Sequence, residues 1–78
     1  MERLCEMPLI DIHVLEGVFT AEEKAAMIRE TALGFGRVAG QAMQDQTSVR
    51  VHEVPSGQWG GADAVWTSDR ARALKAQD

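Results

Sequence analysis

The sequence predicts an α+β fold: one β-α-β unit with parallel strands, which pairs with a second copy into a four-stranded sheet backed by two helices. Three observations carry this reading. An alternating apolar run at Leu9–Leu15 is separated from a second run at Thr47–Val54 by a long stretch of helical period. A strand, a long helix and a strand make a crossover, so the two strands run parallel and the connection is right-handed. Finally, the chain has only 78 residues, and nothing in it is left to cover the sheet face opposite the helix.

In the first run, Ile10, Ile12 and Val14 share one face and Leu9, Asp11, His13 and Leu15 the other, the period-two pattern of a strand. Glu16-Gly17 ends it. Thr20 and Glu23 then have capping-box spacing, opening a helix expected over Ala21–Gly40. Met27, Ile28, Thr31, Ala32, Phe35, Val38, Ala39 and Ala42 recur at three- and four-residue steps along it. Gly34 and Gly36 each weaken it by roughly 1 kcal/mol relative to alanine, a sacrifice that suits close approach to a sheet. The second run puts Val49 and Val51 on one face and Arg50 and His52 on the other. Pro55-Ser56-Gly57 reads as a turn, and Gln58-Trp59-Gly60-Gly61 as a loop or short hairpin. Thr67-Ser68-Asp69 can cap a last short helix, Arg70–Ala76, within a C-terminal tail of residues 67–78 that reads as solvated. The domain proper is then 8–66, preceded by an extension of residues 1–7.

Size and composition narrow the function. A chain this short buries only about 60% of the surface its unfolded form exposes, so its own core is marginal. Cys5 is the single cysteine, which excludes an internal disulfide, and two histidines with one cysteine cannot close a structural zinc site. Association with other chains is the remedy left. The net charge is −4 and the eight basic residues do not cluster, which argues against nucleic acid as a partner. No apolar run approaches the ~20 residues of a membrane span. Met1–Met7 lacks the apolar core of a secretory signal, and a lone thiol without export signal suggests the cytoplasm.

Pro8-Leu-Ile-Asp-Ile-His-Val-Leu-Glu-Gly17, the Glu-Lys-x-x-x-Ile-Arg-Glu pattern at Glu23–Glu30, and Thr47-Ser-Val-Arg-Val51 followed by Trp59-Gly60 occur in one order and spacing. Together they resemble the 4-oxalocrotonate tautomerase family, over Pro8 to about Gly61. The resemblance implies a hexamer built as a trimer of dimers, with active sites between subunits and neither cofactor nor metal. It implies keto–enol tautomerisation of a 2-keto acid, a small-molecule substrate, with an N-terminal proline as base. The matching position is Pro8. A free α-amino group titrates near 8, and a partly apolar, cation-lined pocket lowers that toward neutrality, where a proton shuttle works best. An arginine from a neighbouring subunit, matched by Arg50, would polarise the carbonyl or hold the carboxylate. Trp59 matches the family's aromatic wall.

Two departures shape the expectation. The family carries an arginine just after the first strand for a second substrate carboxylate; here Val18 and Phe19 stand there, with one extra residue before the helix. A pocket lined by Val18 and Phe19 prefers an apolar tail, so a 2-keto acid such as phenylpyruvate fits better than a dicarboxylate. The second departure is that Pro8 is internal. Its nitrogen there is a tertiary amide whose lone pair is delocalised, with no useful basicity. Met7 precedes Pro8 directly, where the family's start would lie, a coincidence of roughly one in twenty on methionine content. The expectation is therefore a functional start at Met7, or an extension that is processed away.

Plainer roles stand beside these. Proline is tolerated at a strand's first residue, Arg50 could pair with a carboxylate across a subunit interface, and Trp59 could anchor one. His13 suits a hydrogen bond at a subunit contact, Cys5 lacks a partner base, and Arg70, Arg72 and Lys75 suit a solvated tail. The alternatives to a tautomerase are a hydratase or lyase on the same scaffold, for which Glu53 is a weak water-activating candidate, and a non-catalytic oligomeric pseudo-enzyme whose extension caps the pocket.

Overall fold

The computed structural model describes residues 8–78; the expectations for the 1–7 extension and Cys5 lie outside the described residues. Strand β1 spans Leu9–Leu15, helix α1 Ala21–Ala39, helix α2 Gln41–Gln46, strand β2 Ser48–Val54, strands β3 and β4 Trp59–Gly60 and Val65–Trp66, and helix α3 Ser68–Lys75. β1 and β2 are parallel, with Ile10 opposite Val49, Asp11 opposite Arg50, Ile12 opposite Val51 and His13 opposite His52. The predicted β-α-β unit is therefore present.

Helix α1 begins as its spacing predicts. The Thr20 hydroxyl accepts from the Glu23 N–H at 3.1 Å, and the Glu23 carboxylate accepts from the Thr20 N–H at 2.9 Å, two donors that no helical carbonyl could reach. The helix covers the face of Ile10, Ile12 and Val14, and Lys24 reaches across to Glu53 on that side at 3.0 Å.

It ends at Ala39, within one residue of the expected Gly40, but its last apolar residues lie outside the core. Gly40, at φ 103°, breaks the helix, and α2 runs on as a separate turn closed by the Thr47 hydroxyl donating to the Met43 carbonyl at 2.7 Å. Val38 is 92% exposed, and Ala39 and Ala42 are exposed with it. At 19 residues α1 is ~28 Å long, whereas a seven-residue strand reaches ~23 Å, so the apolar stripe outruns the sheet that would bury it. Gly36 serves a neighbour other than the sheet. A Cβ built there would lie 2.5 Å from the Gln44 Cβ, so the missing side chain is what lets α2 fold back against α1. Gly36→Ala should therefore lose about 1–3 kcal/mol by overpacking, more than offsetting alanine's better helix propensity. Thermal unfolding of the variant checks this, and an unchanged melting temperature would mean that α2 yields freely.

The C-terminal segment is largely exposed, as expected, yet it is tied to the rest of the chain at several points. Thr67 caps α3 by accepting from the Arg70 N–H at 3.2 Å. Ser68 is buried; its N–H donates to the Ser56 hydroxyl at 2.8 Å, and its hydroxyl donates to the Glu16 carbonyl. Arg72 donates to the Gly17 carbonyl at 2.9 Å, Lys75 pairs with Glu23 at 2.9 Å, and Arg70 stacks 4.1 Å over Trp66. All three basic residues of the tail hold α3 against the β1–α1 turn, the start of α1 or the hairpin.

Despite these ties the single chain closes little core. Among the described residues, Leu15 and Val18 are the buried apolar side chains, and none is fully buried. None of the described helices is long and apolar enough to cross a membrane.

Candidate functional site

The sheet face away from α1 carries Asp11 and His13 from β1, and Arg50 and His52 from β2. Register sets them side by side: Asp11 faces Arg50 and His13 faces His52. The Arg50 guanidinium meets the Asp11 carboxylate through two bonds, Nε to Oδ1 at 2.9 Å and Nη2 to Oδ2 at 3.2 Å. His52 Nε2 lies 3.1 Å from Asp11 Oδ1, and the His13 and His52 rings stack with centroids 4.7 Å apart. One carboxylate thus organises an arginine and an imidazole, and the second imidazole lies against the first.

The electrostatics follow from the geometry. Hydrogen bonds from Arg50 first and His52 second pull the Asp11 carboxyl down from its ordinary 3.8 to about 2, outweighing the opposing effect of desolvation. The same pair raises Arg50 further above its ordinary value. Because the folded value is depressed, the pairing stabilises the fold above the ordinary carboxylate range and is lost as pH falls toward 2. An NMR titration of the side-chain carboxyl carbons should show Asp11 titrating well below its ordinary 3.8; a midpoint near 4 would mean the pair does not persist in solution.

At the end of β1 the same face opens into a groove of about 620 Å³, within the range of small-molecule sites. His13 and Leu15 line one side, Val18 and Phe19 of the β1–α1 turn the next, Trp59 and Trp66 the hairpin side, and Ala71, Leu74 and Lys75 the α3 side. The hairpin sets Trp59 directly opposite Trp66. This pairing needs Gly60, where a Cβ would come within 2.8 Å of the Val65 Cα, and it gives the Trp59-Gly60 dipeptide a physical reason. The Lys75 ammonium lies 5.7 Å from the Phe19 ring centre while it pairs with Glu23, a bond that, after the one to Thr20, helps hold the Glu23 carboxyl below its usual range.

Val18, Phe19 and Trp59, singled out from the sequence, therefore share one groove. His13 links it to the Arg50 cluster, since it lines the groove and stacks on His52. Pro8 is elsewhere in the same chain. Its carbonyl accepts from the Ser48 N–H at 3.0 Å, at the opposite end of β1 from Val18 and Phe19. A seven-residue strand separates them by roughly 20 Å, so any site that combines Pro8 with this groove draws them from different chains. Glu53 is a poor water activator for such a site, because it lies on the α1 side, paired with Lys24.

Sequence reasoning missed Asp11, Trp66 and Leu74 as site residues. Asp11 could have been found, because aligning Ile10 with Val49 places it opposite Arg50. Trp66 and Leu74 depend on how the hairpin and α3 fold back, which local pattern does not reveal. Among the described residues, no group of three or more His, Cys, Asp or Glu side chains is disposed to hold a metal ion.

Comparison with known proteins agrees with this architecture. The model of a family described as tautomerase enzymes matches residues 8–68. Among solved structures, a chain from a kinetic and structural characterisation of 4-oxalocrotonate tautomerase isozymes from Methylibium petroleiphilum is similar, with a TM-score of 0.64 and 28% identity. The match covers 86% of this chain and 97% of that one. No curated protein matches the chain. With the parallel β-α-β unit in place and most of the sequence accounted for by the family model, the chain belongs to the tautomerase family.

Proposed function

We propose that the protein is a keto–enol tautomerase acting on a 2-keto acid with an apolar or aromatic tail, with Pro8 as general base when it is the N-terminal residue. The observation that carries this reading is the aromatic groove of Val18, Phe19 and Trp59, joined through His13 and His52 to the paired Arg50 guanidinium. The family match beginning at Pro8 supports the role given to that residue.

The chemistry needs neither cofactor nor metal. The Pro8 amine takes the proton from the enol hydroxyl; the oxygen becomes a carbonyl as the C=C electron pair takes a proton at C3. That proton is the one the prolyl ammonium returns, so the base ends as it began. Charge develops on the substrate oxygen during the transfer, and a guanidinium aimed there stabilises the transition state more than the ground state. The substrate's apolar tail lies against Phe19 and Trp59.

The scarcity of buried apolar side chains and the separation of Pro8 from the groove both favour sites built between chains. A homohexamer, a trimer of dimers whose dimers join two β1–β2 pairs into a four-stranded sheet, supplies Pro8 from one subunit and Arg50 from a neighbour. The same reading places the protein in the cytoplasm, where a lone thiol stays reduced.

The test compares phenylenolpyruvate with an enol that carries a second carboxylate in place of the ring. The ring-bearing substrate should have the higher kcat/KM by about 10- to 100-fold, the discrimination an apolar pocket affords. A preference for the dicarboxylate would overturn the assignment of Val18 and Phe19.

A further inference from the structure

The Asp11–Arg50 pair is more ordered than a catalytic arginine requires for charge alone. A guanidinium has five N–H donors in a rigid plane. Asp11 takes Nε and one hydrogen of Nη2, which leaves the Nη1/Nη2 edge, itself a two-pronged fork, without demand from this carboxylate. The Arg50 side chain is 58% exposed, so packing does not fix it; the two bonds to Asp11 do. Asp11 is held in turn by His52, whose ring stacks on His13 at the wall of the groove.

We propose that Asp11 is a positioning residue for Arg50: it occupies one edge of the guanidinium, fixes its plane, and presents the other edge to the substrate oxygen. This inference rests on the tautomerase reading and on Arg50 as its electrostatic group. It also has a bearing on substrate choice. The carboxylate offsets the arginine's charge, so the site holds one anionic group through oriented donors rather than gathering anions by field strength. Together with Val18 beyond His13, this favours a substrate with a single carboxylate.

A purely structural role would show as a lower melting temperature or a loss of assembly when Asp11 is removed, whereas a positioning role leaves both in place. Misorientation of a transition-state donor, however, is costly, on the order of 10²-fold for about 1 Å. The experiment uses whichever N-terminal form of the protein turns over phenylenolpyruvate and compares Asp11→Ala, Asp11→Asn and Arg50→Ala for kcat and KM, alongside melting temperature and assembly mass. Asp11→Ala should lower kcat by about 10- to 100-fold with a much smaller change in KM, at parental melting temperature and mass. Asp11→Asn, which keeps an acceptor oxygen in place, should recover most of the loss.

Parental kcat in Asp11→Ala beside an inactive Arg50→Ala would overturn the positioning role and leave the tautomerase reading standing. Loss of turnover together with loss of assembly would overturn it in favour of a structural role. Arg50→Ala at parental turnover would overturn the positioning role by removing Arg50 from the chemistry, while the turnover itself would leave the tautomerase reading standing.

Discussion

A chain that begins at Pro8 should ketonise phenylenolpyruvate about 10²- to 10⁴-fold faster than one that retains residues 1–7, the usual contribution of a positioned general base. The reason lies in one bond. With Met7 attached, the Pro8 nitrogen is an amide whose lone pair is shared with a carbonyl, and it cannot accept a proton at neutral pH. With Met7 removed it is a secondary amine, of the class that titrates near 8 before any burial or neighbouring cation acts on it. The measurement needs both forms, each with its N-terminus confirmed by intact mass, in one assay. Equal activity with the seven residues in place would end the proline mechanism. Inactivity of both forms would favour a non-catalytic oligomer, with the groove as the remnant of a site.

Arg50→Ala should lower kcat/KM by about 10²- to 10³-fold, the usual loss when one donor to a developing oxyanion is removed. Arg50→Lys should fall between parent and alanine, because a lysine retains the charge but cannot bond to Asp11 and to substrate through two separate planar edges. Neither variant should change assembly mass; a lower mass would make Arg50 a subunit-contact residue rather than a site residue. The split between kcat and KM then tells which role the arginine has. A fall in kcat alone points to charge stabilisation in the transition state, and a rise in KM alone to simple grip on the carboxylate. An unchanged kcat/KM would remove Arg50 from the chemistry.

The parts of the fold that were legible are those whose signal is local. Ile10, Ile12 and Val14 alternate, Val49 and Val51 alternate, and Thr20 with Glu23 form the capping box their spacing predicts. The end of α1 at Gly40 was legible too, but the exposure of Val38, Ala39 and Ala42 was not, because they continue a helical period although the sheet has already ended beneath them. The docking of α3 was illegible for a different reason. It depends on bonds such as those from the Ser68 hydroxyl and the Arg72 guanidinium to the backbone carbonyls of Glu16 and Gly17 far upstream, and no pattern of side-chain types announces such bonds. In the site, Arg50, Trp59, Val18 and Phe19 came from resemblance and departure within a motif. Asp11 needed the register of β1 against β2, which is a property of two segments together.

The hairpin has a consequence for how this protein can be studied. Its two tryptophans are the only ones in the chain, and they sit across from each other on the wall of the groove. The intrinsic fluorescence and near-ultraviolet dichroism of the whole molecule therefore come chiefly from one place, which is where the substrate's tail would lie. Occupancy of the groove can be followed optically without a label, in forms of the protein that turn nothing over as readily as in those that do.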